Sequence, residues 1–448
     1  MIVEATAQTQ PSVDFFVFGD SLSDIGNLFA KTLRRIPPSP DYFEGRFSNG
    51  SLAVEILAQD LGLPLSLKTN FAIGGARTDR TNNVDDSTFG LIQFGGLLTQ
   101  IDSFQSQAAE LGAGAEDLYL VWAGGNDFLN LIDNPANPTA VVTAAVTNIL
   151  TSVRSLAAAG AKNIVVAQTP NLGRVPLSLE AGQLQSLTQL SVAFNTALAA
   201  ALNQFEQAAP DKNIILTDLF TPIESVAQNP STFGFTNVTD PLKDTAGGNA
   251  NQFFFWDDAH PTTRGHGVFA EAFRAAIVTG INDNLTRSGS ATSDRLVTFA
   301  GRDTLNGRKG DDYLEANGRQ DVLLGGDGDD VLLGGDGNDR LTGGAGRDQL
   351  TGGAGRDRFI YTGAGEGRDT ITDFETERDR IDLTEIFDRR VFTRPNRFEA
   401  YVRLGQTTEG TIVRVDTNGN LRGGFKTMTL LSDVNAGDLS AANFQVSG

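Results

Sequence analysis

From Thr298 to Ile360 the chain repeats every nine residues, and few folds tolerate that period. Seven units start at 298, 307, 316, 325, 334, 343 and 352; the clearest read GGDGDDVLL, GGDGNDRLT, GGAGRDQLT and GGAGRDRFI. The sixth position is always aspartate: Asp303, Asp312, Asp321, Asp330, Asp339, Asp348 and Asp357. The eighth is always apolar (Leu305, Leu314, Leu323, Leu332, Leu341, Leu350, Phe359), and the fourth is glycine except at Arg319. A flexible glycine linker has no reason to hold aspartate and leucine in register. A parallel β-roll does. Its glycines permit the positive backbone angles of tight turns, and the eighth residue points from a short strand into a thin core. Two units then make one coil, so aspartates eighteen residues apart, such as Asp321 and Asp339, stack. Stacked like charges repel, and a hard cation shared with turn carbonyls relieves this; calcium suits such an all-oxygen site.

These units match the pattern G-G-x-G-x-D-x-U-x and resemble the RTX repeats of secreted bacterial proteins. The resemblance implies structural calcium held by the seven sixth-position aspartates, more weakly in the first three units, where glycines are replaced. The following stretch, GRDTITDFETERDRIDLTEIF, and the β-rich tail to Gly448 resemble the segment after the repeats in serralysin-like proteins. There the uncleaved C-terminal region is the address for type I secretion. The resemblance therefore implies the type I secretion machinery as a partner, and an extracellular location without an N-terminal signal peptide. MIVEATAQTQ indeed has neither the basic start nor the apolar core of a secretory signal. No run reaches the roughly 18 apolar residues of a membrane span. The absence of cysteine excludes disulfides and thiolate zinc sites. A formal charge of -20 argues against nucleic acid as a partner.

Upstream the texture is different. DFFVF, DLYLVWAG, KNIVVAQTP and NIILTDLF read as buried strands. Between them lie helical patterns over about 50–61, 97–111, 138–159 and 182–208, and another opens near Pro261. Strands alternating with helices predict a parallel sheet covered on both faces, with sites at the carboxyl ends of strands. The expected organisation is a tail (1–11), an α/β domain (12–283), a polar linker (284–297), the roll (298–362) and a β-rich cap or secretion region (363–448).

The first strand runs straight into a serine, in FFVFGDSLSDIGN, which places Ser21 at such an end. The chain has only two histidines, His260 and His266, and Asp257 stands three residues before the first. One short loop can thus offer an imidazole to a nucleophile while a carboxylate orients its other nitrogen. Taken alone, an Asp-x-x-His is as well explained by structure. Two glycine-rich turns add to the case: NFAIGGART, with Gly74 and Gly75, and VWAGGNDFL, with Asn126. Backbone N–H groups of Ser21 and Gly75 and the Asn126 amide are candidate oxyanion donors, although each glycine pair by itself is a tight turn.

FGDSLSDIGN, NFAIGGART, GGNDFL and DDAHPT, in that order, resemble the four blocks of the GDSL, or SGNH, hydrolase family over about residues 12–283. The resemblance implies a flavodoxin-like three-layer α/β fold. It also implies Ser21 as nucleophile, His260 as general base and acid, Asp257 (rather than Asp258) as its orienting partner, and Ser21, Gly75 and Asn126 as the oxyanion hole. No cofactor is expected at that centre. G-x-S-x-G, H-E-x-x-H and phosphate-loop motifs do not occur. His266 reads as a packing or capping residue, or alternatively as one that touches substrate or helps to bind a metal. Phe253 to Trp256 reads as a buried strand, or alternatively as the wall of an acyl pocket.

The expected whole is a secreted serine esterase or lipase acting on carboxylic esters, with acyl lipids or phospholipids favoured. The alternatives are an acyltransferase using the same residues and a non-enzymatic calcium-binding surface protein.

Overall fold

The structure, a computed structural model, describes residues 13–85, 93–363, 366–388, 392, 394, 396–419 and 424–446. The expected tail, 1–11, lies outside the described residues. The chain divides into two compact units at Gly280/Ile281.

In the first unit β1 (Phe15–Gly19), β2 (Leu118–Trp122), β3 (Asn163–Ala167) and β4 (Asn213–Thr217) form a parallel sheet in the order β1-β2-β3-β4. A short extended segment at Asn70 runs parallel along the other side of β1. The Val17 N–H donates to Thr69 O and the Phe71 N–H to Val17 O, at 3.0 and 2.7 Å. With this segment outside β1, the order is the doubly wound, flavodoxin-like one. The helices are α1 (Asn27–Lys31), α2 (Ala53–Asp60), α3 (Leu97–Gln107), α4 (Gly125–Leu129), α5 (Pro138–Ala158), α6 (Pro176–Glu180), α7 (Leu184–Ala208), α8 (Phe220–Gln228) and α9 (Thr263–Gly280). The five expected helices are α2, α3, α5, α7 and α9. The other four are short, and three of them have five residues, too few to display a 3.6-residue period.

Both faces of the sheet are covered, which is why its strands read as unbroken apolar runs. Phe16 and Phe18 meet Phe104 of α3 edge-on, while Trp122 meets Phe269 and Phe273 of α9 on the opposite face. Asn137 caps α5 by accepting the N–H groups of Thr139 and Ala140. Among the described residues α5 alone is long and apolar enough to cross a membrane by length and composition. In this fold Val142, Ala145, Ile149, Val153 and Leu156 on it are buried in the core of the unit.

The second unit is built on the nine-residue period. One sheet holds β5 (Thr286–Ser288), β7 (Thr304–Lys309), β9 (Val322–Asp327), β11 (Arg340–Ala345), β13 (Arg358–Ile360), β15 (Arg380–Asp382) and β19 (Phe444–Gln445). The other holds β6 (Arg295–Val297), β8 (Tyr313–Glu315), β10 (Val331–Gly337), β12 (Gln349–Gly355), β14 (Asp369–Ile371) and then β18 (Phe425–Ser432), β17 (Gly410–Asp416) and β16 (Val402–Gln406). Repeat strands pair in parallel with those eighteen residues away, as in Arg340↔Val322 and Val331↔Tyr313. The eighth-position side chains form a file between the sheets, 0–1 % exposed. Each contributes roughly 1.5–3 kcal/mol by leaving water. Coils stack so closely that Gly344, at φ +104°, would bring a Cβ to 2.2 Å from Gly326 O.

The expected linker is the clearest difference. Within residues 284–297, β5 pairs with β7 and β6 with β8, so this stretch supplies the first coil of the roll. Asp294 and Leu296 lie nine residues before Asp303 and Leu305. The repeat therefore begins one unit earlier, behind a polar composition that conceals it.

Candidate active site and calcium ladder

β1 ends at Gly19, a position that admits no side chain: a Cβ would lie 2.1 Å from Trp122 O on the neighbouring strand. The chain then turns, with the Asp20 carboxylate accepting the Leu22 N–H at 3.0 Å, and Ser21 follows at the carboxyl end of the sheet. Burial pushes the Asp20 carboxyl up to about 7, the Leu22 N–H only partly opposing it.

The second half of the site is a tight turn that Asp257 builds itself. Its Oδ1 accepts the N–H groups of Ala259 and His260 at 2.9 and 2.7 Å. The Trp256 N–H donates to His260 O at 2.7 Å and closes the loop. That turn sets the His260 ring, with Nδ1 2.8 Å from Asp257 Oδ1 and 2.9 Å from Oδ2. His260 Nε2 lies 2.7 Å from Ser21 Oγ. Burial raises the Asp257 carboxyl, but the neighbouring His260 and the donated N–H groups outweigh it and hold the acid well below its usual range. Burial likewise lowers His260, and the Asp257 charge more than reverses this.

Ser21, His260 and Asn126 line one small cavity of about 90 Å³. Its remaining wall is mostly apolar and includes Leu129, Leu172, Val175, Ile223, Phe254 and Phe255. The Phe253–Trp256 segment makes only isolated bridges, at Phe253 and Phe255, so its aromatic rings serve as core and as cavity wall. Asn126, in the first turn of α4, donates from Nδ2 to Ala76 O at 2.9 Å. Gly75 is the residue next to that carbonyl but does not line the cavity. Among the described residues the N–H groups of Ser21 and Gly75 meet no acceptor.

Sequence reasoning missed the residues that tie these loops together. Buried Asp24 accepts N–H groups from Gly26, Asn27 and Leu28, and from Gly74 at 2.8 Å, so it joins the serine loop to the glycine turn. Asn27 and Asn70 continue this bracing through Asn70 O and Ser23 O. Tyr42 donates its hydroxyl to Asp257 Oδ2 at 2.7 Å. The alternation of apolar and polar residues carries no trace of these bonds. His266 is buried in the first turns of α9, with no partner for either ring nitrogen among the described residues. Burial depresses it to about 3, so it is a neutral packing residue.

In the second unit the sixth-position aspartates form two ladders. The Asp303 Oδ1 accepts the Leu285 N–H, and each later Oδ1 accepts the backbone N–H of the aspartate one coil earlier: Asp303 to Asp321, Asp321 to Asp339 and Asp339 to Asp357 on one side, and Asp312 to Asp330 and Asp330 to Asp348 on the other. The ladders run on to Asp369 and Asp379, 21 and 22 residues after their partners. Among the described residues the Oδ2 atoms of Asp303, Asp312, Asp321, Asp330, Asp339, Asp348, Asp357 and Asp369 are buried without a hydrogen-bond partner. Burial pushes Asp321 up to about 8, and Asp330 and Asp357 to about 7. A file of hard, orphaned oxygens fits calcium. No three acidic or histidine side chains converge among the described residues. In the early units Arg308, Asn317 and Arg319 occupy turn positions at φ +79°, +73° and +72°, which glycine adopts without strain.

The first unit is thus a doubly wound α/β domain with a hydroxyl, an imidazole and a carboxylate in line at the carboxyl end of its sheet. The family model for GDSL-like lipase/acylhydrolase matches residues 15–273, and the chain belongs to that family of ester hydrolases. The RTX calcium-binding nonapeptide repeat matches 288–323 and 324–359, so the chain also carries RTX repeats, from within the stretch that reads as a linker. GDSL esterase/lipase APG of Arabidopsis thaliana is 28 % identical over 59 % of this chain and 90 % of its own length. Thermolabile hemolysin of Vibrio parahaemolyticus is 30 % identical over 56 % of this chain and 61 % of its own. Phosphatidylcholine-sterol acyltransferase of Aeromonas hydrophila is 28 % identical over 52 % and 66 %.

Proposed function

We propose that the protein is a secreted serine esterase that cleaves carboxylic, acyl-lipid esters through an acyl-enzyme on Ser21. The observation that carries this reading is the unbroken line from Ser21 Oγ through His260 to Asp257, with contacts of 2.7 and 2.8 Å. Ser21 Oγ attacks the ester carbonyl carbon as His260 Nε2 takes its proton. Asp257 holds the Nδ1–H tautomer and stabilises the imidazolium. The carbonyl oxygen becomes an anion that the Ser21 N–H and the Asn126 amide, both on the cavity wall, would meet, with the Gly75 N–H as the third candidate donor. His260 then protonates the leaving alcohol, and water, activated by the same imidazole, releases the acid and restores Ser21. The apolar cavity wall beside Ser21 suits the first carbons of an acyl chain.

The resemblance to a sterol acyltransferase favours a second reading, in which an alcohol replaces water in the last step. Product analysis with glycerol or a sterol as acceptor separates the two. Ser21→Ala tests both: turnover should fall to the roughly 10³–10⁴-fold over water left by binding and oxyanion donors. Unchanged turnover would remove the proposal.

We assign the ladder carboxylates Asp303, Asp312, Asp321, Asp330, Asp339, Asp348 and Asp357 to calcium, which would neutralise their buried charge and join successive coils. The repeats, together with the likeness to a hemolysin, support export by type I secretion into a calcium-rich exterior.

A further inference from the structure

We propose that Tyr42 is a positioning residue that sets the orientation and basicity of the Asp257–His260 pair. This rests on the reading of Ser21, His260 and Asp257 as a catalytic unit. The hydroxyl reaches Asp257 Oδ2 from 215 residues away in the chain. Asp257 Oδ1 is already saturated by two backbone N–H groups and the ring, whereas Oδ2 has only the ring and Tyr42.

The contact is built, not incidental. The segment from Tyr42 to Asn49 lies along the histidine loop and is bound to it at two further points. Ser48 Oγ donates to Pro261 O at 2.9 Å, and the Thr263 N–H donates to Asn49 Oδ1 at 2.8 Å. Arg46 anchors the segment to Glu55 of α2 at 2.7 Å. The Tyr42 ring sits edge-on between Phe47 and Trp256, and Phe47 itself covers the His260 ring at 5.1 Å. Two aromatic neighbours therefore fix the ring that carries the hydroxyl.

A donor on Oδ2 does two things. It stops the carboxylate from rotating, which holds the imidazole in line with Ser21 Oγ. It also draws charge away from the Nδ1 contact, so the imidazolium is stabilised less than it would be by a bare carboxylate. The groups facing His260 are Asp257, Asp20 and Asp258, and those facing Tyr42 are Asp257, Asp258 and Asp244. Asp258 has Lys243 beside it, and neighbouring His266 is neutral. Asp257, Asp20 and Asp258 all push the histidine up, so loss of the Tyr42 donor, which leaves Asp257 with fuller charge, leaves the histidine more basic.

The test is a pH profile of kcat and KM on p-nitrophenyl butyrate for the full-length chain with calcium. The variants are Tyr42→Phe, which keeps the ring packing, Asp257→Asn and the double variant. Fluorophosphonate titration counts folded active sites. Tyr42→Phe should lower kcat roughly 10- to 150-fold per active site, the scale of one hydrogen bond to a charged group. KM should stay within about twofold, and the acid limb of kcat/KM should move to higher pH. The double variant should be no slower than Asp257→Asn, because Tyr42 acts through that carboxylate. If Asp257→Asn is slow but Tyr42→Phe leaves the acid limb unmoved, or if the two losses multiply, the proposal fails and the catalytic unit stands. Wild-type turnover in Asp257→Asn would overturn the catalytic unit and, with it, this role for Tyr42.

Discussion

The two units satisfy their buried carboxylates in opposite ways. In the α/β unit Asp24 accepts four backbone N–H groups, and Asp257 accepts two, a ring N–H and a phenol. In the roll each sixth-position aspartate spends one oxygen on the preceding coil and keeps the other buried, with no partner among the described residues. A buried, unpaired polar atom costs free energy that a glycine-rich coil with one apolar residue per turn can hardly offset. The first unit is thus a closed construction, and the second is one that a cation completes.

Removing calcium from the full chain should give the largest contrast. With a chelator the β-roll signal in circular dichroism should collapse while esterase turnover persists, and magnesium should not restore the signal at equal concentration. Magnesium demands a tighter octahedral shell and dehydrates reluctantly. A roll that stays folded in chelator would mean that its orphaned oxygens are tolerated without a cation.

Within the active site, Asn126→Ala should slow turnover by roughly 10²–10³-fold, as the loss of one oxyanion donor does. The deficit should lie in kcat, since the amide meets full charge only in the transition state. A change in KM alone would assign Asn126 to ground-state binding.

A smaller effect follows from the raised carboxyls. The folded-state values of Asp321, Asp330, Asp339 and Asp357 lie at about 8, 7, 6 and 7, above the unfolded 3.8. The calcium-free folded roll therefore holds more protons than the unfolded chain between about pH 4 and 8. Its stability should rise as pH falls through that window and be least above pH 8. Protons should also compete with calcium, so the calcium midpoint should climb between pH 8 and 6. A midpoint independent of pH would show that these carboxylates are not the ligands.

Legibility in the sequence also divided along this line. A strict period specifies both the strand partner and the side-chain face, so the roll could be read from aspartate and leucine positions alone. It failed only where composition hid the phase, at Asp294 and Leu296, and where the spacing stretched to 21 and 22 residues, at Asp369 and Asp379. The α/β unit showed its strands and long helices, and its motif blocks pointed to Ser21, Asp257 and His260. The bracing did not show. Tyr42 reaches Asp257, and Asp24 reaches Gly74, through one hydrogen bond each to a loop brought near only by the fold, and no local pattern records such bonds.

The most direct test is to treat the full chain with a fluorophosphonate, with calcium and with chelator, and map the labelled residue by mass spectrometry. The account predicts one label, on Ser21, under both conditions, with labelling lost in His260→Gln. A label on another serine, or labelling of Ser21 only when calcium is present, would contradict a catalytic unit that is complete without the cation.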